Sequence, residues 1–460
     1  MKVKVSNLGA IGEGTIDLSK KINLLCGQNG TGKTYFSYVI YGLLRNKLHI
    51  KGNSVIADKL IDERSITIDI DFPALLSYKK EMLKNTKEEI DTIFGIGVDV
   101  GEKLFSEFTI EDIEGGDDFK QRIISASIVN KAKVQGIGVA LSKKENEAKI
   151  TLTITDESIP SDAIQGFRLL LNSFIFYTLA VYPISGVDVF PVERNSIYTF
   201  SKELSIRKQE AMDNLQLLVD KEKKISKFDI FFNSKRYPLP VKDGLMVAED
   251  LAEVKKTKSE FYEFAEDLEA ELLHGKVQIS NDGEIQFRPD KSSRTLLPIQ
   301  MTASIIKTLS SLVVYLKHIA NYNDLIIIDE PEINLHPSNQ IIIAKLLARL
   351  ANKGFRLLIS THSDYIVREF NNLVILSQKD NASVVKVAKE YEYKEDEYIR
   401  IEDLSVYSFA YKNKRSKQIV VSEIPIDETG FEVKTMDEVI DKQNNISETL
   451  YYSLKYGEVK

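Results

Sequence analysis

The sequence predicts an α/β fold in which a mainly parallel sheet is accompanied by an antiparallel β lobe and a short helical-hairpin insertion. Three segments predict the parallel sheet. INLLC, Ile22 to Cys26, is an apolar run leading through GQNGTGKT, Gly27 to Thr34, into the helical pattern TYFSYVIYGLL. LIIID, Leu325 to Asp329, and FRLLIST, Phe355 to Thr361, are further apolar runs. LIIID is the continuous run expected of a central strand buried on both faces, with INLLC and FRLLIST read as its companion strands.

The first element, MKVKVSNLGAIGEGTIDL, alternates and breaks at glycines, which predicts an edge hairpin rather than a secretion signal. ITIDIDF, Ile66 to Phe72, and ITLTIT, Ile150 to Thr155, alternate with period two, as antiparallel strands do. They flank a helical stretch, LSYKKEMLKNTKEEIDTIF. FRLLLNSFIFYTLAVYPI, Phe167 to Ile184, falls short of the roughly twenty residues of a membrane span and reads as a buried helix.

From Ser201 to Gly275 the pattern turns helical twice around KFDIFFNSKRYPLPVKDG. Leu251, Val254, Lys258, Phe261, Ala265, Leu268 and Leu272 step by three and four, so one seam predicts a second helix paired with Lys202 to Ile225. In LPIQMTASIIKTLSSLVVYLKHIA the stripe Ile305, Leu309, Leu312, Leu316 and Ile319 predicts a helix starting near Thr302 to Ser304. VYSFAY, KNKRSK, QIVVSEIPID and MDEVIDKQNN close the chain as a hairpin, a basic turn and a helix. The basic turn is either a phosphate-binding turn or a solvated loop tip.

The glycine-rich segment fits G-x-x-x-x-G-K-[ST] in the required context of strand, turn and helix. Gly27, Asn29, Gly30 and Gly32 belong to a loop whose backbone N–H groups converge on phosphates at a helix N-terminus. Lys33 is placed to reach the β- and γ-phosphates and Thr34 to ligate Mg²⁺. At the end of LIIID, Asp329 is placed to hold Mg²⁺ through water and Glu330 to orient or deprotonate an attacking water. The alternative is a buried strand capped by solvated acids. His362, after FRLLIST, can meet the γ-phosphate; otherwise it is a satisfied polar residue at a strand end.

The order of GQNGTGKT, a long insertion, DEPE, NLHP and THS resembles the soluble branch of the ATP-binding-cassette superfamily, with its SMC, RecF and OLD-type ATPases. It covers roughly the first fifty residues and Leu297 to Leu376. The resemblance implies a cassette-type ATPase head: 1–200 an N-terminal lobe with a lateral β/α insertion, 201–275 a stubby arm, 276–380 a C-terminal lobe with signature helix, and 381–460 a hairpin and helix. It implies ATP and Mg²⁺ as cofactors, and homodimers or higher oligomers in which two heads sandwich two ATPs. Ser304 would then contact the partner's γ-phosphate, although the family's glycine is here Ile305. The other reading of Ser304 is the start of a core helix without a role in trans.

The composition sets bounds. A chain of 460 residues that is 43% hydrophobic can bury a sizeable core. A net charge of −7 excludes a basic field over the whole surface but leaves room for a local nucleic-acid patch. The single cysteine, Cys26, allows no disulfide within the chain, reads as a small buried hydrophobe, and fits a reduced cytoplasmic setting without a membrane. Arg194, in PVERNS, contacts phosphate or nucleic acid, or pairs with a neighbouring acid. Asp69 and Asp71 form a D-x-D pair that reads as a solvated strand face, and no D-x-D follows His362.

Among such ATPases the chain resembles the ATPase subunits of anti-phage systems of the PARIS and Septu kind. That implies a sensor and scaffold holding a separate effector, usually a nuclease. The alternative is a RecF-like repair ATPase that clamps DNA directly.

Overall fold

The computed structural model describes residues 1–45, 54–200, 237–290, 295–413 and 415–457. Its centre is a nine-stranded sheet. In chain order the strands are β1 (Lys2–Leu8), β2 (Ile11–Asp17), β3 (Ile22–Gly27), β4 (Ser65–Asp69), β5 (Thr109–Asp112), β6 (Ile128–Val134), β7 (Ile137–Lys143), β8 (Lys149–Ile154), β9 (Val187–Phe190), β10 (Gly275–Ile279), β11 (Ile285–Pro289), β12 (Leu297–Pro298), β13 (Leu325–Asp329), β14 (Arg356–Thr361), β15 (Leu404–Tyr411) and β16 (Ile419–Ile424).

The large sheet runs β5-β1-β2-β16-β15-β3-β14-β13-β9. From β15 to β9 every pair is parallel. Side chains alternate across it as a two-residue repeat requires. Leu25, Ile327 and Leu358 join one core, while Leu24, Cys26, Ile326, Ile328, Leu357 and Ile359 join the other. This two-sided burial is why these strands are mainly apolar.

The first core is covered by α1 (Lys33–Arg45), α2 (Ser54–Glu63), α3 (Phe72–Glu88), α4 (Ile90–Phe94), α5 (Val98–Phe105), α6 (Gly116–Ser125) and α7 (Ile164–Ala180), together with the antiparallel sheet β4-β8-β7-β6. The predicted lateral lobe and the buried helix at Phe167 are therefore present. Beyond α8 (Arg194–Phe200) come α9 (Leu239–Glu249), α10 (Leu251–Val254) and α11 (Tyr262–Leu268). The second core lies under α12 (Ser304–His318), α13 (Pro337–Asn352), α14 (Asp364–Ile375) and α15 (Ala382–Glu390), and the chain closes with α16 (Lys434–Tyr456).

Two expectations need correction. The N-terminal hairpin is not at the sheet's edge, because β5 pairs with β1 outside it. The seam from Leu251 to Leu272 does not form one helix; it is interrupted between α10 and α11. Leu251, Phe261, Ala265 and Leu268 are buried in the second core of the head itself, so their three-and-four spacing reports docking onto the sheet layer. The proposed partner helix, Lys202 to Ile225, lies outside the described residues. The C-terminal hairpin was predicted as a hairpin, but its place was not: β15 inserts beside β3 and β16 pairs with β2.

Candidate nucleotide site

At one edge of the sheet the carboxyl ends of β3, β14 and β13 lie side by side, with Cys26 opposite Thr361 and Ser360 opposite Asp329. Ligands of open α/β sheets bind at this edge. After β3 the chain turns through Gly27 to Gly32 into α1. A Cβ at Gly27 would stand 2.5 Å from the Phe409 carbonyl oxygen, so only glycine lets β15 pack there. Gly30 has φ +76° with open space around it, and Asn29 beside it is exposed, which leaves the loop's concave face free. Thr31 Oγ1 donates to Gln28 O at 2.8 Å and stiffens the turn.

Lys33, the first residue of α1, is 5% exposed. Its Nζ donates to Gly27 O at 2.9 Å and Gln28 O at 3.0 Å, so the ammonium is drawn over the loop by the loop's own carbonyls. Burial lowers its pKa, while Glu330 and Asp329 act to raise it. An ammonium so weakly compensated is suited to an added anion.

Thr34 Oγ1 donates to Asp329 Oδ2 at 2.7 Å, and Ser360 Oγ donates to Asp329 Oδ1. Asp329 is 1% exposed, and burial pushes its carboxyl above the usual carboxylate range. A buried carboxylate met only by hydroxyls and facing a phosphate loop fits a hard cation with oxygen ligands. No group of three or more His, Cys, Asp or Glu that could hold a metal occurs among the described residues.

Glu330 follows with φ +47°, a left-handed conformation costing a non-glycine residue of order 1 kcal/mol. Its N–H donates to Ser360 O at 3.0 Å, and its carbonyl accepts from Ile333 N at 3.2 Å. Arg194, 2% exposed, donates from Nη1 to Asp329 O and from Nη2 to Glu330 O, both at 2.8 Å, and from Nη1 to Pro191 O at 3.1 Å. Arg194, weighed as a contact to phosphate or nucleic acid or as the ion-pair partner of a neighbouring acid, thus donates to backbone carbonyls, with Asp329, Glu332, Glu330 and Glu193 near enough to favour its charge.

His362 begins the turn after β14. Its Nδ1 stands 3.4 Å from Glu330 Oε1 and 3.4 Å from Glu332 Oε1. Glu332 Oε1 also accepts Thr361 Oγ1 at 2.8 Å and His362 N at 2.9 Å. The Glu330 carboxylate holds the His362 pKa above its ordinary value, and His362 in turn holds the Glu330 carboxyl below the ordinary range. With Nδ1 turned to the carboxylates, Nε2 is the nitrogen left to meet a ligand.

Lys33, Thr34, Asp329, Glu330 and His362 are thus gathered on one sheet edge, although nearly three hundred residues separate the first from Asp329. Ser304 is not among them. It lies exposed as the first residue of α12, with Ala303 in the N-cap position and no side-chain cap bond. The sequence reading missed Glu332, Ser360 and Thr361 as supports and Arg194 as a backbone donor. Their signal was adjacency: Glu332 closes DEPE, and Ser360 and Thr361 precede His362. The neighbouring histidine, His336, caps α13 by accepting from Ser338 N at 3.3 Å. Asp71 caps α3 by accepting from Ala74 N at 3.0 Å, and Asp69 is exposed. Cys26 is fully buried and burial raises its thiol pKa, as expected of a small hydrophobe.

Residues 1–367 match the family model described as AAA ATPase domain, AAA_15. No curated protein matches the chain. Among solved structures it is similar to an SMC head bound to the C-terminal winged-helix domain of ScpA, at 12% identity and TM-score 0.35, covering 93% of this chain and 98% of that one. It is also similar to an SMC head with an extended coiled coil bound to the C-terminal domain of ScpA derived from Pyrococcus furiosus, at 12% identity and TM-score 0.32, with 97% and 98% covered. An SMC head domain from Thermotoga maritima aligns at 10% identity and TM-score 0.31, with 92% and 98% covered. At these scores nothing of those proteins' partners or chemistry carries over. No helix among the described residues is long and apolar enough to cross a membrane.

Proposed function

The chain belongs to the AAA_15 family of AAA ATPase domains, and from that premise we propose that it hydrolyses ATP with Mg²⁺ at the sheet edge described above and that two copies close around the nucleotide. The observation that carries the site is the 2.7 Å bond between Thr34 and Asp329, which joins the phosphate loop to the acidic strand end across the fold. Thr34 and Asp329 would hold Mg²⁺, which neutralises phosphate charge when bound, and Gly27, Asn29, Gly30, Gly32 and Lys33 would hold the phosphates. Glu330 accepts the proton of the attacking water at its carboxylate. His362, steadied by Glu332, shares hydrogen with that carboxylate through Nδ1 and offers Nε2 to the terminal phosphate.

Pairing of heads is supported by the open start of α12. Its first-turn N–H groups have no side-chain cap, and Ser304 faces solvent, so a second copy's phosphate can be met there. The closed pair acts as a sensor and scaffold that restrains a separate effector, a nuclease by the resemblance, in bacterial anti-phage defence. The exposed apolar side chains Val439, Ile446, Leu450 and Leu454 along α16 suit a protein partner.

Lys33→Ala and Glu330→Gln test the reading together. Loss of nucleotide binding is expected in the first; in the second, turnover falls by about 10²-fold or more while an ATP-bound dimer accumulates. Wild-type turnover in Lys33→Ala would remove the site, and a Glu330→Gln protein monomeric with ATP would remove the pairing. Co-purification of an effector supports the defence role. ATP-dependent duplex binding that weakens steeply with salt would replace it by the repair role.

A further inference from the structure

Beyond Phe190 the parallel ladder between β9 and β13 stops, since the next residue is Pro191 and proline carries no N–H. The carbonyls of Asp329 and Glu330 therefore project toward an edge without backbone donors from β9. Arg194 fills the gap: the chain turns through Pro191 to Arg194, with Arg194 N donating back to Pro191 O at 3.1 Å, and the guanidinium reaches both carbonyls at 2.8 Å. The planar guanidinium presents its donors to the two carbonyls in a fixed fork, whereas an ammonium carries its three donors on a flexible stem and holds such a pair less rigidly. The residue so held, Glu330, is also the one with φ +47°.

Resting on the proposed assignment of Glu330 as the proton acceptor, we propose that Arg194 is a positioning residue for hydrolysis, which fixes the Asp329–Glu330 backbone so that the Glu330 carboxylate stays on His362. It acts through the turn, by its bonds to the Asp329 and Glu330 carbonyls. The surroundings agree. Burial lowers the Arg194 pKa to about 10, so the side chain remains cationic at neutral pH, and Asp329, Glu332, Glu330 and Glu193 act to keep it charged. Its pocket is mainly apolar, lined by Leu309, Leu312, Ile328 and Ile343 with the Thr308 hydroxyl as the other polar side chain, so a truncated side chain leaves the two carbonyls without the guanidinium's donors.

The test compares wild type, Arg194→Lys and Arg194→Gln by ATP affinity, steady-state turnover and the NMR titration of the His362 imidazole, one of five histidines in the chain. The expected result is nucleotide affinity within about twofold, kcat lower by about 10- to 100-fold with KM little changed, and a His362 pKa that falls toward its ordinary value as Glu330 moves away. Lysine should retain more activity than glutamine. Unchanged kcat and an unchanged His362 titration in both variants would overturn the proposal. So would a variant that binds no nucleotide, because Arg194 would then serve the fold alone. Failure of the site assignment looks different: wild type itself would show no turnover sensitive to Lys33→Ala.

Discussion

Glu332 Oε1 serves Thr361 Oγ1 and His362 N at once, and through that pair it sets the imidazole beside Glu330. The pair has a pH signature. A raised histidine pKa contributes stability that is complete below the ordinary 6.5 and is lost as pH rises through the folded value. A depressed glutamate contributes above the ordinary 4.5 and loses its share as pH falls through the lowered value. Between those limits both shares are present. Both groups are partly exposed, so screening keeps the effect small. The Tm difference between wild type and His362→Gln is therefore expected to be largest near about pH 6 and to shrink at about pH 9. A difference that grows with pH would show that the contact does not bind the proton. Adjacent motif residues made this cluster legible in the sequence. Arg194 was not, since a side chain aimed at backbone carbonyls leaves no pattern of partner side chains to read.

The central strands follow their sequence patterns, whereas the Leu251 seam departs from its pattern because it docks on the sheet layer. β13, with four apolar residues before Asp329, and β14, with Leu357 to Ile359 between polar ends, lie side by side in the buried centre of the sheet. The run from Leu251 to Leu272 carries a coiled-coil spacing yet breaks after α10, because its apolar residues dock on the head. α16 is the opposite case. It is helical over Lys434–Tyr456, but every residue from Asp441 to Gly457 is exposed, so little beyond intrinsic propensity holds that part. Hydrogen exchange should show residues 441 to 456 protected far less than α7 or α12, with the difference narrowing when a partner binds. Strong protection in the isolated monomer would show that the helix is packed in solution.

For the whole molecule, one chain assembles the phosphate loop, the acidic strand end and the histidine, while Ser304 lies exposed on a helix of the second core layer. Ser304→Arg should leave ATP affinity of a single head within about threefold, yet abolish the ATP-dependent dimer by steric and charge conflict at the second copy's phosphate. Light scattering with and without ATP reads the outcome, ideally in the Glu330→Gln background. A dimer that persists would remove Ser304 from any contact in trans and leave the start of α12 as a plain helix end.

By itself the sequence determined three of the parallel strands, β3, β13 and β14, but not β9, together with the loop Gly27 to Thr34, the acids Asp329 and Glu330, His362, the lateral lobe and the closing hairpin and helix. Burial on two faces and phosphate chemistry each impose a local pattern on the residues that serve them. Only the tertiary structure decided that β15 and β16 complete the head sheet beside β3, that the Leu251 seam is core, and that Arg194 holds the turn of Glu330. Those outcomes depend on which surfaces meet. Strand order and backbone-directed hydrogen bonds arise from contacts between distant segments, and such contacts leave the local sequence free.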